Sequence, residues 1–116
     1  MLKSKMDADV IEAEVLVIGG GLVGATLAVA LGSAGLNVCV VDVSDPATNL
    51  DANFDGRVSA IALASHHVLK ALGLWAMLET DVAPILDIRV SEGDSLYFLH
   101  YDHRENGDEA FGFMVE

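Results

Sequence analysis

The chain has 116 residues, 53% of them hydrophobic, which suits one small domain with a core of ordinary size and excludes low-complexity disorder. Its 18 acidic against 6 basic residues give a formal charge of -12, which argues against nucleic acid or an anionic bilayer surface as partner, because such affinity comes from Lys and Arg neutralising phosphates. Cys39 is the only cysteine, so no internal disulfide forms and a reducing, cytoplasmic setting is the natural inference.

Residues 1–13 carry two lysines followed by acids instead of an apolar segment, and read as a flexible N-terminus, not a signal peptide. From Val15 to Val41 there is no charged residue at all. About 20 apolar residues would span a bilayer, but six glycines punctuate this run, and each costs a helix interior about 1 kcal/mol relative to Ala. The pattern instead divides into short elements. Val15–Ile18 is β-branched and apolar, as in a fully buried parallel strand. Glycine ends it, and Leu22 to Ala34 follows as a helix whose small residues Gly24 and Ala28 allow close approach to a sheet. Gly35 stands where a left-handed helix stop is wanted. Val38 to Val41 is a second buried strand, closed by Asp42, and Cys39 within it reads as an inert buried thiol. Strand, glycine turn, helix and strand make one βαβ unit of about 30 residues.

The glycine turn carries the chemistry. Gly19-Gly20-Gly21-Leu22-Val23-Gly24 fits G-x-G-x-x-G, a weak signal alone but a strong one between a strand and a helix with an acid at the end of the next strand. Gly19 would permit the tight turn, Gly21 the approach of a pyrophosphate, and Gly24 the packing of helix on strand. The anion would be held by the N–H groups and dipole of the helix N-terminus, which needs no lysine. Asp42 would accept hydrogen bonds from a ribose diol and repel a 2′-phosphate, which favours FAD or NAD over NADP. The fold class expected is α/β, with a Rossmann-like βαβ start. The bland alternative is a tight turn with Asp42 merely closing a strand.

Ser44 to Gly56 is rich in Asp, Asn, Pro and Gly and reads as a loop. A second helix is expected from Ser59 as N-cap, with Ile61, Ala64, Val68 and Leu72 in helical spacing and Gly73 as stop. Trp75, Met77 and Leu78 continue into a short apolar turn ended by Asp81 and Pro84. Ile85 to Val90 reads as one extended segment, and Leu96 to Tyr101 is expected to pair with Phe111 to Val115 across Asn106-Gly107. The composition shift near Pro84 divides the chain into residues 14–83, the nucleotide-binding part, and 84–116, the start of something β-rich. His66 and His67 point about 100° apart on a helix and cannot share a metal, and no metal or catalytic set of side chains can be assembled.

The segment Asp55-Gly-Arg-Val-Ser-Ala-Ile-Ala-Leu-Ala-Ser65, running on to Leu72-Gly-Leu-Trp75, resembles flavin-dependent aromatic hydroxylases of the ubiquinone-biosynthesis type, within the para-hydroxybenzoate hydroxylase-like monooxygenases. Ile85-Leu-Asp-Ile-Arg-Val-Ser91 and Phe111-Gly-Phe-Met-Val-Glu116 are similar to that family's first strands beyond the opening FAD region. The resemblance implies FAD as cofactor, NAD(P)H and O₂ as co-substrates, and a polyprenylated phenol as substrate. It implies that Gly19, Gly20, Gly21, Leu22, Val23 and Gly24 hold the FAD pyrophosphate. Asp42, where relatives often have Glu, would hold the adenosine ribose, and Arg57 would reach the flavin nucleotide. A surface pairing of Arg57 with an acid such as Asp55 is the competing account. Relatives carry a later Gly-Asp segment that this sequence lacks, so an incomplete FAD-binding domain followed by the start of a substrate domain is expected. A greasy substrate is compatible with peripheral contact at an inner membrane or with a ubiquinone-biosynthesis complex. An NAD-dependent dehydrogenase and a non-catalytic nucleotide-binding module are the alternatives.

Overall fold

The computed structural model describes residues 10–47 and 57–115, which belong to two compact units, residues 1–52 and 53–116. The loop expected over 44–56 is described only as far as Ala47, and residues 1–9 of the expected flexible N-terminus lie outside the described residues.

In the first unit, β1 (Val15–Ile18) and β2 (Val38–Val41) pair in parallel, with Val15 opposite Val38 and Ile18 opposite Val41. Parallel strands need a crossover, and α1 (Leu22–Ser33) supplies it, packing on both. Helix and strands therefore fall where the sequence placed them. The helix ends in a full Schellman motif: Gly35 sits at φ 91°, its N–H donates to the Gly32 carbonyl at 2.9 Å, and the Leu36 N–H donates to the Leu31 carbonyl at 3.2 Å. Thr26, the polar residue in the middle of α1, turns its hydroxyl back onto the Leu22 carbonyl at 2.7 Å. Asn37 ties the entries of both strands together. Its side chain donates to the Glu12 carbonyl at 2.9 Å, its N–H to the Glu14 carboxylate at 2.8 Å, and its carbonyl accepts from the Glu14 N–H at 2.9 Å.

In the second unit the central strand is β7 (Gly112–Val115), flanked antiparallel by β3 (Ser59–Ala62) and β4 (Val82–Ile85). Ser59 and Val82 both stand opposite Val115. Gly112 is required by this closeness, since a Cβ there would collide with the Ile61 carbonyl oxygen. One helix, α2 (Leu63–Ala71), packs on the sheet and ends in a second Schellman motif, with Gly73 at φ 74° and the Leu74 N–H donating to the Leu69 carbonyl at 2.9 Å. Trp75, at the head of a short 3-10 turn, is buried with Val115. Its ring meets His66 at 4.3 Å and Phe113 at 4.9 Å, and His66 meets Phe113 at 4.7 Å. These three rings fasten helix, turn and sheet.

A separate hairpin, β5 (Asp87–Ser91) with β6 (Phe98–Asp102), completes the unit. Its two faces differ cleanly. Alternation places Asp87, Arg89, Phe98, His100 and Asp102 on one face, where His100 meets Asp87 at 2.8 Å and the Arg89 guanidinium lies 5.2 Å from the Phe98 ring centre.

Four expectations are corrected here. The helix expected from Ser59 begins at Leu63, and Ser59–Ala62 is a strand: the apparent helical spacing ran across a strand–helix junction, and pairing with β7 outweighs local preference. Phe111 to Val115 does not pair with Leu96 to Tyr101. β7 is taken up by β3 and β4 on its two sides, and β6 pairs with β5. The single extended segment from Ile85 to Val90 is broken at Leu86, whose carbonyl accepts from both the His103 N–H at 3.0 Å and the His103 ring Nδ1 at 3.1 Å. Pro84, expected to end a turn, instead lies inside β4, where an edge strand tolerates a residue without N–H.

Candidate functional site

The glycine turn follows directly from β1. The Gly19 N–H extends the parallel ladder by donating to the Val41 carbonyl at 2.7 Å, and Gly19 then turns at φ 100°, a conformation other residues rarely adopt. The chain passes through Gly20 and Gly21 into α1, with Gly21 still extended. The first helical bond runs from the Ala25 N–H to the Gly21 carbonyl at 2.8 Å, so the N–H groups of Leu22, Val23 and Gly24 fall outside the helical ladder. No acidic side chain occupies the first turn. Such amides, together with the helix dipole, are groups that can hold an anion.

Gly24 is what lets helix and turn approach so closely. A Cβ there would run into the Gly19 carbonyl oxygen and stand 3.3 Å from Val17 Cγ1. Gly21 is different, with nothing within 4 Å of where its Cβ would be, so that side of the turn is open to an approaching group. The two glycines therefore serve distinct ends, one packing the helix and one leaving room.

Asp42, just past β2, sends its carboxylate back to the turn. Its Oδ2 accepts from the Gly20 N–H at 2.6 Å and its Oδ1 from the Ser44 N–H at 2.8 Å. Those bonds, Ser44 first and Gly20 second, hold its pKa below the ordinary carboxylate value, so it is ionised at neutral pH. A cavity of about 600 Å³ lies against this corner, and Gly20, Cys39, Asp42 and Ser44 are among its walls. All of its lining residues come from the first unit. Arg57 lies at the start of the second unit and is exposed. Within the first unit the structure brings Asp42 onto the glycine turn at Gly20, directly before Leu22, Val23 and Gly24 at the start of α1.

Ser44 was missed by the sequence reading, although an Asp followed two residues later by a backbone donor is the pattern of an Asx turn. His66 reads from the sequence as a residue with an ordinary surface or packing role, and packing is what the structure gives it. Its Nδ1 is buried without a hydrogen-bond partner, and burial, followed by the neighbouring His67 and Lys70, pushes its pKa down. Among the described residues no group of three His, Cys, Asp or Glu side chains could hold a metal ion, and no helix is long and apolar enough to cross a membrane.

A parallel βαβ unit with an open helix N-terminus, glycines at the points of closest approach and a carboxylate beside the turn is the architecture of a dinucleotide-binding protein. The family model for the FAD binding domain matches residues 12–102, and the chain belongs to that family. It is 52% identical over 104 residues to the ubiquinone hydroxylase UbiL of Rhodospirillum rubrum, covering 90% of this chain and 24% of that protein. It is 34% identical over 105 residues to the 3-demethoxyubiquinol 3-hydroxylase of Escherichia coli, covering 89% of this chain and 27% of that one. It is also 30% identical over 110 residues to the ubiquinone hydroxylase UbiM of Neisseria meningitidis, covering 90% and 24%. The chain therefore spans only 24% to 27% of the length of these relatives. Flavin, not nicotinamide, is the nucleotide that this family membership favours.

The site's own geometry fits that nucleotide. Helix and turn pack closely at Gly24, the space beside Gly21 is open, and the Asp42 carboxylate reaches the same turn at Gly20. A pyrophosphate and a ribose diol call for that pair of donor and acceptor groups.

Proposed function

We propose that this chain forms the first part of the FAD site of a monooxygenase that hydroxylates a polyprenylated phenol in ubiquinone biosynthesis, with NAD(P)H and O₂ as co-substrates. The observation that carries the reading is the Gly19–Gly24 turn: its Cβ-intolerant contact at Gly24 opens the N-terminus of α1, with Asp42 alongside. Family membership and the names of the relatives support it.

In this reading Gly19, Gly20, Gly21 and Gly24 shape the pyrophosphate cradle, and the amides of Leu22, Val23 and Gly24 donate to it. Asp42 accepts from the adenosine ribose. Arg57 supplies a forked donor to the flavin nucleotide, as a guanidinium does well. Bound FAD would supply the redox chemistry that activates O₂, and this chain's residues bind and orient it. Residues 84–116 would open a β-rich substrate-binding segment of a longer enzyme. An uncharged helix such as α1, with Leu22 74% and Val23 84% exposed, is of the kind that a larger protein buries. A greasy substrate would bring the enzyme to the periphery of the inner membrane.

The test is direct. Full-length protein purified aerobically should show flavin absorption and release FAD on denaturation. NAD(P)H oxidation should rise when a polyprenylphenol is added, with a product heavier by one oxygen atom. A colourless protein would defeat the flavin reading, and a flavoprotein that oxidises no phenol would defeat the substrate.

A further inference from the structure

Resting on the nucleotide-binding reading above, we infer that Asp42 is a positioning residue that ties the glycine turn in its anion-binding shape, in addition to any contact with ribose. Two successive residues of the turn are anchored to the end of β2. The Gly19 N–H is held by the Val41 carbonyl at 2.7 Å, and the Gly20 N–H by Asp42 Oδ2 at 2.6 Å. The first anchor is backbone and belongs to any parallel ladder of this kind. The second depends on one side chain.

That side chain is itself held. Oδ1 accepts from the Ser44 N–H at 2.8 Å, so each carboxylate oxygen has its own backbone donor. Where it reaches, the turn is weakest: Gly19, Gly20 and Gly21 in succession have more backbone freedom to lose than any other three residues. A charge-assisted bond to the middle glycine restricts that freedom before a ligand arrives. The bond also sorts the amides. Gly20 faces Asp42, which leaves the helix-end amides from Leu22 onward for the anion. A carboxylate offers about four lone-pair sites, so two backbone donors still leave room for a diol.

The tie makes a prediction opposite in sign to simple electrostatics. A carboxylate beside a phosphate site repels the phosphate, so removing its charge should tighten anion binding if Asp42 only contacts ribose. If Asp42 holds the turn, removing the charge should weaken binding even of an anion that has no ribose. The experiment uses the full-length protein stripped of flavin, in wild type, Asp42→Asn and Asp42→Glu forms. Inorganic pyrophosphate and ADP are titrated calorimetrically, and amide hydrogen exchange is followed in the peptide covering the turn.

Asp42→Asn is expected to weaken pyrophosphate by about tenfold, the loss of one charged hydrogen bond, and to speed exchange across the turn. Asp42→Glu, with its charge on a longer arm, should fall between the two in both readouts, and it carries the test should Asp42→Asn fail to fold. Pyrophosphate bound at or above wild-type strength in the variants, or exchange in the turn unchanged, would overturn the proposal. Failure of wild type to bind either ligand while exchange still responds to Asp42 would instead overturn the nucleotide-binding reading and leave the tie standing.

Discussion

The two units solve opposite problems. The first gathers its hydrogen-bonding groups into one corner and leaves its apolar side chains uncovered: Val17 is buried, while Leu16 and Ile18 on the same strand are 60% and 84% exposed. The second gathers its apolar groups instead, closing Trp75, His66 and Phe113 against one another around a central strand. A site made of backbone amides needs only a short, locally determined turn. A packed core needs strands brought together from far along the chain.

Substitutions can break that contrast. The largest effect is expected at Gly24: a methyl group there meets the Gly19 carbonyl oxygen, so Gly24→Ala should cost about 3 kcal/mol and abolish flavin retention. A Gly24→Ala protein that keeps its flavin at full occupancy would show that the turn does not shape the site. Trp75→Ala should cost a similar amount, about 3 kcal/mol, through the cavity it leaves, and should appear as a lowered denaturation midpoint. Gly112→Ala brings a Cβ against the Ile61 carbonyl oxygen, also backbone, and should cost about 2 kcal/mol by straining the sheet. The comparison predicts that Gly112→Ala lowers the melting temperature while α1's anion site keeps its affinity for pyrophosphate.

His66 provides a smaller effect, visible through pH. Burial holds its pKa below the ordinary 6.5, helped by His67 and Lys70 on its own helix and opposed by Glu109, which precedes β7. A proton therefore binds the unfolded chain more readily than the folded one. The stability this ring contributes is present above pH 6.5 and is lost as pH falls through the lowered value. Melting temperatures between pH 7.5 and 5.5 should fall less steeply in His66→Phe than in wild type, and equal slopes would remove His66 as the cause. Smallest of all is Arg104→Ala. The guanidinium is exposed, and its bonds to Asp102 should contribute no shift that a thermal melt resolves.

What could be read in advance follows the same division. Every bond that shapes the glycine site runs between residues 17 and 44, and its signals are local: β-branched runs, glycines at fixed spacing, an acid at a strand end. Both helix stops were legible for the same reason, since a left-handed glycine after an apolar run has few other uses. The second unit was misread where pairing is distant. Residue 59 meets residue 115, and nothing within a window around Ser59 records that partner. Ser-Ala-Ile-Ala has no strong preference of its own, and helical spacing continued from α2 looked convincing until β7 claimed it. Likewise, Asn106-Gly107 resembled a hairpin turn, but the structure uses it to leave a 3-10 turn, with Gly107 at φ 97°.

By itself, then, the order of residues determined the βαβ unit, its glycine turn and the class of ligand that such a turn accepts, because their signals all lie between Val15 and Asp42. Only the tertiary structure decided the partners of β7, the ring cluster around His66, and the bond from the Gly20 N–H to the Asp42 carboxylate. Each of those is a contact that no residue pattern records, and its energy exists only once the chain has closed around it.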